Sequence, residues 1–206
     1  ALSPDGSLLI TGGDDRSVIL WDLDQATPIH TIPHFSGRIT SIAIVPIGSQ
    51  FYVGTDDGML TCWDLPTYQK LYSLQAHEGS IHSIDTSSDN NAIVSSGEDN
   101  SIYIWDSNLT HQLKTIPDLF SPIHFVSFSP DGQKIASVSH DGVTRLWEID
   151  SPRVIIVAGG GYYDGNAIVD QTKAMANYVY KICLNRGYEK KDIQFILQIY
   201  SGKYQG

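Results

Sequence analysis

Through its first 150 residues the chain alternates short apolar stretches with polar breaks rich in Gly, Asp, Ser and Asn. Between about Leu71 and Trp105 the apolar stretches predict four short strands: Leu71–Leu74, Ile81–Asp85, Ala92–Ser96 and Ser101–Trp105. Strict alternation is imperfect and β-branched residues are frequent, as expected of strands covered by neighbouring sheets on both faces. The breaks carry turn chemistry: Ser-Pro-Asp-Gly, Ser-Ser-Asp-Asn, Gly-Glu-Asp-Asn and His-Asp-Gly all favour tight reversals.

The same grammar recurs with a fixed period. Trp21, Trp63, Trp105 and Trp147 are spaced by 42 residues each time, and an acid follows each one: Asp22, Asp64, Asp106 and Glu148. Asp15, Asp57, Asp99 and Asp141 stand six residues before the four Trp. Ile29, Leu71 and Leu113 keep the period, as do Ile39, Ile81 and Ile123, and Ser-Pro-Asp-Gly returns at 129–132 after its first appearance at 3–6. A repeat of about 40–45 residues with four strands and a Trp-Asp ending points to a propeller blade.

On these residues, positions 1–150 resemble WD40-repeat proteins. The resemblance implies an all-β propeller of about three and a half blades, incomplete in this chain. It also implies a structural tetrad of a His, a Ser or Thr, the turn Asp and the Trp, complete in the third unit as His77, Ser95, Asp99 and Trp105. A buried carboxylate needs hydrogen-bond donors, and a His locked to a turn Asp satisfies both groups. Phe35 and Leu119 stand where His77 aligns, and Val53 replaces the hydroxyl residue of the second unit. Those blades are expected to rely on packing, with Asp15, Asp57, Asp141, Trp21, Trp63 and Trp147 in structural roles.

Charge divides the chain. Residues 1–150 hold 6 Lys+Arg against 19 Asp+Glu, whereas residues 151–206 hold 7 against 4. The shift puts a domain boundary near Ser151–Pro152, giving domains 1–150 and 151–206. A surface this acidic lacks the basic footprint that phosphate contact needs, so nucleic acid is not an expected partner. Val154 to Ala158 is the longest strictly apolar run, far short of a membrane span. Cys62 and Cys183 show neither metal spacing nor a disulfide framework, so the compartment stays open, with the cytoplasm favoured. His82 and His124 recur one period apart, which reads as strand patterning rather than a metal pair. No catalytic constellation, metal or cofactor is expected in residues 1–150. The chain opens on Ala1 within a repeat, so further blades are expected upstream.

The resemblance also indicates a partner face, carried by the residue before each turn Asp: Asp14, Asp56, Glu98 and His140. Three acids beside Arg38 form a negative arc, and a basic segment of a protein or peptide is the expected partner. The competing reading is that Asp-Asp and Glu-Asp are simply good turn dipeptides.

After Pro152 the pattern changes. Val154–Ala158 reads as a buried parallel strand, Gly159–Gly161 as a turn, Ile168–Arg186 as a helix stopped by Gly187, and Asp192–Ile199 as a second strand. This β-α-β unit could seat a phosphate at its helix N-terminus. However, the glycine spacing and the strand end at Gln198-Ile-Tyr depart from the dinucleotide fingerprint. Val154-Ile-Ile-Val-Ala-Gly159, Asp170, Ala176–Tyr180, Gly187-Tyr and Asp192-Ile-Gln-Phe resemble the start of legumain-type cysteine peptidases, which have a caspase-like α/β fold. The resemblance implies a Cys-His dyad placed after the third and fourth strands, outside this chain. Cys183, within the helix, then reads as a core residue. The alternatives are a non-enzymatic scaffold with a degenerate α/β domain and a propeller with a nucleotide-binding one.

Overall fold

The computed structural model describes residues 1–46, 49–116 and 121–149, together with the backbone of two strands at 154–161 and 193–200. Four sheets follow one another along the chain. The first holds β1 (Leu8–Gly12), β2 (Val18–Asp22) and β3 (Thr27–Ile32). The second holds β4 (Ile39–Ile44), β5 (Gln50–Thr55), β6 (Met59–Asp64) and β7 (Lys70–Gln75). The third repeats it with β8 (Ile81–Thr86), β9 (Ala92–Gly97), β10 (Ile102–Asp106) and β11 (Gln112–Ile116). The fourth runs β12 (Ile123–Phe128), β13 (Lys134–Ser139), β14 (Val143–Glu148), β15 (Val154–Gly161) and β16 (Ile193–Tyr200). Consecutive strands pair antiparallel from β1 to β15 within each sheet, and the described part of residues 1–150 is all-β.

Burial explains why alternation was weak in the sequence. Every residue of Phe51–Thr55 and of Ile93–Gly97 is buried, because the second strand of a blade is covered by a sheet on each side. Outer strands β3 and β7 are exposed along almost their whole length. A side chain is therefore apolar according to its depth in the blade as much as its face. The recurring Ile29, Leu71 and Leu113 are 46%, 40% and 58% exposed, so their period does not come from the core. Each is the extra residue of a bulge that pairs the Trp strand with the outer strand, where Trp21 meets Pro28, Trp63 meets Lys70 and Trp105 meets Gln112.

Three apolar clusters lie between the sheets. Ile10, Val18 and Leu20 meet Phe35 of the connecting segment and Ile39, Phe51 and Val53 of the second sheet, with Trp63 partly buried against them. Tyr52, Leu60 and Cys62 meet Ile81, Ile84, Ile93 and Trp105. Val94, Ile102 and Ile104 meet Ile123, Val126, Phe128, Ile135 and Trp147. Burying each such side chain contributes roughly 1.5–3 kcal/mol. Close approach demands a small residue opposite: a Cβ on Gly54 would lie 2.8 Å from side-chain atoms of both Ile81 and Ile84. Polar links reinforce the same seams. Ser41 accepts the Ile84 amide at 2.9 Å, Tyr52 donates to the Ser107 carbonyl at 2.6 Å, and Asp85 accepts the Phe128 amide at 2.7 Å.

The strand beginning at Val154 takes the outer place of the fourth sheet. Val154 pairs with Trp147, seven residues after it, as Gln112 pairs with Trp105. The strand runs on through Gly159–Gly161, which the sequence suggested as a turn; the ladder to β16 continues through all three glycines. β15 pairs with β16 in parallel, from Val154↔Ile193 to Gly161↔Tyr200. The helix expected over Ile168–Arg186 and Cys183 lie outside the described residues, as does Leu119.

Candidate functional site

Each blade must hold a turn carboxylate near its Trp, and the four solve that problem differently. In the third blade His77, Ser95, Asp99 and Trp105 form one hydrogen-bonded chain. The Trp105 indole N–H donates to Ser95 Oγ at 3.0 Å, Ser95 Oγ lies 2.8 Å from His77 Nε2, and His77 Nδ1 lies 2.9 Å from Asp99. A tautomer with the proton on Nδ1 makes every group along that chain either donor or acceptor in turn. Gly97 leaves room for the ring, since a Cβ there would lie 2.7 Å from His77 Nδ1. Asp99 also accepts the amides of Glu78 at 3.1 Å and Ser101 at 3.2 Å. Burial alone would raise its pKa; the bond from His77 and these amides outweigh it and hold the carboxyl below the usual range.

In the fourth blade the carboxylate is met by a buried cation. Arg145 is fully buried; its Nη2 reaches Asp141 at 2.6 Å and its Nη1 reaches Ser139 Oγ at 2.6 Å. Ser139 also bonds Asp141, and the Val143 amide donates to it at 2.9 Å. This blade, expected to rely more on packing, also holds its carboxylate by an ion pair, where the third blade uses a His. Burial opposes the ionised form of Asp141, yet the Arg145 and Ser139 bonds hold its pKa below the usual range.

The second blade uses neither device. Phe35 packs on Trp63 at 5.3 Å between ring centroids, Thr55 bonds Asp57, and the Trp63 N–H turns to Thr61 Oγ1 at 2.9 Å because Val53 offers no hydroxyl. A cleft of about 270 Å³ opens there, lined by His34, Phe35, Thr55, Thr61 and Trp63 among others. In the first blade Asp15 is exposed and held by the Ser17 hydroxyl at 2.7 Å, while Trp21 donates to Thr11 at 2.9 Å. Trp147 donates to Ser137 at 2.9 Å.

Turn chemistry also accounts for the acids that follow the first three Trp. Asp22 accepts the Gln25 amide, Asp64 the Thr67 amide, and Asp106 the amides of Thr110 and His111. Much of the negative charge in residues 1–150 is thus local scaffolding.

The residues singled out as a partner face lie at equivalent places. The amides of Asp56, Glu98 and His140 donate to the carbonyls of Arg38, Ser80 and Pro122, just ahead of β4, β8 and β12. Asp56 clamps Arg38 at 2.7 Å, taking both its guanidinium Nε and its backbone N–H. That bond first, then the fields of Asp56 and Asp14, strengthen the charged form of Arg38. Asp14 and Glu98 are exposed; Glu98 accepts the Ser80 amide at 3.4 Å. The acids are thus interleaved with a cation rather than standing as a bare negative arc.

Two features escaped the sequence. One is Arg145. The other is a run of three rings: His82 stacks on His124 at 5.2 Å between centroids, and His124 meets His140 at 5.5 Å. The period of His82 and His124 was visible, but not that a turn brings His140 onto them. Among the described residues no group of three or more His, Cys, Asp or Glu is arranged to hold a metal ion. Burial pushes the Cys62 thiol up to about 11, which makes it a poor nucleophile at neutral pH.

Successive antiparallel blades, four-stranded in the second and third, each keyed by a turn carboxylate and a Trp, define a β-propeller repeat protein. The family model described as "WD domain, G-beta repeat" matches residues 1–22, 26–64, 68–106 and 112–148, and the chain belongs to that family. No curated protein matches the chain. No helix among the described residues is long and apolar enough to cross a membrane.

Proposed function

We propose that residues 1–150 are a protein-interaction scaffold whose docking face is the rim carrying Asp14, Asp56, Glu98 and His140. The observation that carries this reading is the repetition itself. The turn residue of each of the last three blades is fixed by a backbone bond at the same place, so one rim presents a row of side chains that differ while their supports do not. Rigid scaffolds that vary side chains on loops are suited to recognition. With three of the four rim residues acidic, a basic segment of a protein is the preferred occupant. Asp14 and Glu98 offer the stronger contacts, because Asp56 already holds Arg38. Fluorescence anisotropy with a Lys-rich peptide tests this. The triple variant Asp14→Lys, Asp56→Lys, Glu98→Lys is expected to weaken capture at least tenfold, and equal binding by both proteins would refute the basic-partner reading.

For residues 151–206 the reading supported best is the opening of a caspase-like α/β unit. The parallel pairing of β15 with β16 favours it, since parallel neighbours require a crossover connection. The resemblance at Val154–Gly159 and Asp192–Phe195 adds to that pairing. Peptidase chemistry would then reside in a His and a Cys at later strand ends of a longer reading frame. A frame without them leaves a non-enzymatic scaffold. The nucleotide-binding rival is tested by melting: added ATP or NAD is expected to leave the midpoint unchanged, and a rise of several degrees would favour it.

A further inference from the structure

The second blade carries a gap that the third fills with its own side chain. Val53 offers the Trp63 indole no hydroxyl, so the N–H turns to Thr61 Oγ1, which itself donates to the Val53 carbonyl at 3.3 Å. Thr61 is small, and one period later the same strand position holds Tyr103. The Tyr103 ring lies 4.8 Å from that of His77 and 5.5 Å from that of Trp105, between centroids. In the fourth blade the position holds Arg145, wholly buried and bonded to Asp141 and Ser139. With Thr61 there instead, the space beside Phe35 and Trp63 stays open as the cleft of about 270 Å³. Trp63 is accordingly only partly buried, whereas Trp105 and Trp147 are 7% and 5% exposed.

The cleft lies within a seam that is already formed. Val18 and Leu20 of the first blade share one apolar cluster with Phe35 and Trp63, and His30 of β3 stacks on Tyr68 at 4.4 Å. Its opening is therefore a local deficit of side-chain volume between two blades in contact, not a face awaiting a neighbour. At its lip stand Ser73 and Lys70 of the outer strand, cross-strand partners of Thr61 and Trp63 and both exposed. Lys70 takes part in none of the ion pairs among the described residues.

We propose that this cleft takes one aromatic side chain of a partner protein, carried on a segment with a carboxylate next to the ring. The occupant is indicated by the molecule itself, since the third blade seats its own Tyr103 ring at the equivalent place against its own Trp. Phe35 and Trp63, 5.3 Å apart between centroids, supply the aromatic walls, and rings prefer neighbours at roughly 4.5–7 Å. A single aromatic anchor in a desolvated pocket is also the kind of contact that dominates a protein interface. Lys70 at the lip selects an acid beside that anchor; such an exposed pair adds little affinity but fixes direction. The inference stands apart from the rim reading, because none of Asp14, Asp56, Glu98 and His140 lines the cleft.

The test follows the four assigned Trp indole N–H signals of the full chain by nuclear magnetic resonance. N-acetyltyrosine amide at millimolar concentration is expected to shift the Trp63 signal and to leave that of Trp105 in place, because Tyr103 already fills the matching space. A capped Glu-Tyr-Glu peptide is expected to bind at least threefold more tightly than the amide, and Glu-Ala-Glu to produce no shift. Ser73→Tyr sets a ring at the mouth from an exposed strand, where aromatic residues are well tolerated. It is expected to remove the Trp63 response while all four signals stay dispersed. Lys70→Glu is expected to cancel the advantage of the Glu-flanked peptide and to keep the response to the amide. Absence of any Trp63 response, equal shifts of Trp63 and Trp105, or a Trp63 response that survives Ser73→Tyr would each overturn the proposal. So would a response to Glu-Ala-Glu as large as that to Glu-Tyr-Glu. Failure of the rim to capture the Lys-rich peptide leaves all of these readouts untouched and strikes the basic-partner reading alone.

Discussion

Replacing Arg145 by Met is expected to lower the unfolding free energy by about 3–5 kcal/mol, the usual consequence of leaving a buried charge without its partner. The guanidinium is fully buried and Asp141 nearly so, at 5% side-chain exposure. Removing the cation leaves a carboxylate with one amide and one hydroxyl in a site closed to water. The Arg145 Nε has no hydrogen-bond partner, so the arrangement is not itself optimal. Its removal together with the acid should therefore cost far less than removing either alone. The double variant Arg145→Met, Asp141→Asn is expected to recover most of the loss, giving a coupling of at least about 2 kcal/mol. Urea denaturation followed by Trp fluorescence measures all three proteins; additive losses would show that the pair acts through packing instead. The pair also sets a pH dependence whose sign is fixed. Asp141 is held below its ordinary value when folded, so its contribution is complete above the ordinary carboxylate pKa of roughly 3.9 and is lost as pH falls through the lower, folded value. The stability of Arg145→Met should accordingly fall less steeply below about pH 4 than that of the native chain.

The period was readable because it is written in residues that cannot be exchanged freely: the Trp at each interface, the turn Asp, and the acid that ties the next turn. The third-blade chain from Trp105 to Asp99 was legible for the same reason. Arg145 was not. Its aligned positions are Ile19, Thr61 and Tyr103, so no pattern marks it. Its partner lies four residues earlier, and only the reversal at Gly142, with φ at 74°, turns the carboxylate back over the following strand. The histidine stack was hidden for a related reason. Spacing along the chain reports which blade position a residue holds, but contact between positions in different blades depends on how the sheets are set against each other. The glycines at 159–161 misled through composition: Gly usually marks a turn, yet here three in succession continue a strand whose ladder to β14 ends at Ala158 and whose ladder to β16 runs on. The rim acids Asp56 and Glu98 hold equivalent backbone places in the repeat, but their charge could not be weighed until Arg38 was seen clamped by Asp56.

Ser95→Val is expected to cost about 2–4 kcal/mol, since it strands two buried groups at once, each worth roughly 1–3 kcal/mol when left without a partner. The Trp105 N–H loses its acceptor and His77 Nε2 loses its hydroxyl, in a site where Ser95 is wholly buried. The second blade nonetheless carries Val53 at that position, because two other residues differ with it. Phe35 replaces the His and needs no hydrogen bond, and Thr61 takes the Trp63 N–H at 2.9 Å. Transferring that solution as His77→Phe, Ser95→Val, Tyr103→Thr should therefore give a protein more stable than Ser95→Val alone by at least about 1 kcal/mol, although it contains two further core substitutions. Asp99 keeps the Ser101 and Glu78 amides. The comparison is made by urea titration, with near-ultraviolet circular dichroism of the Trp band to confirm that Trp105 stays fixed. Should the three substitutions prove additive, each blade's polar residues would be independent contributors. Recovery in the triple variant would instead show that a blade tolerates exchange of its polar set only as a set, which is how four repeats with one backbone can carry four different ways of holding the same carboxylate.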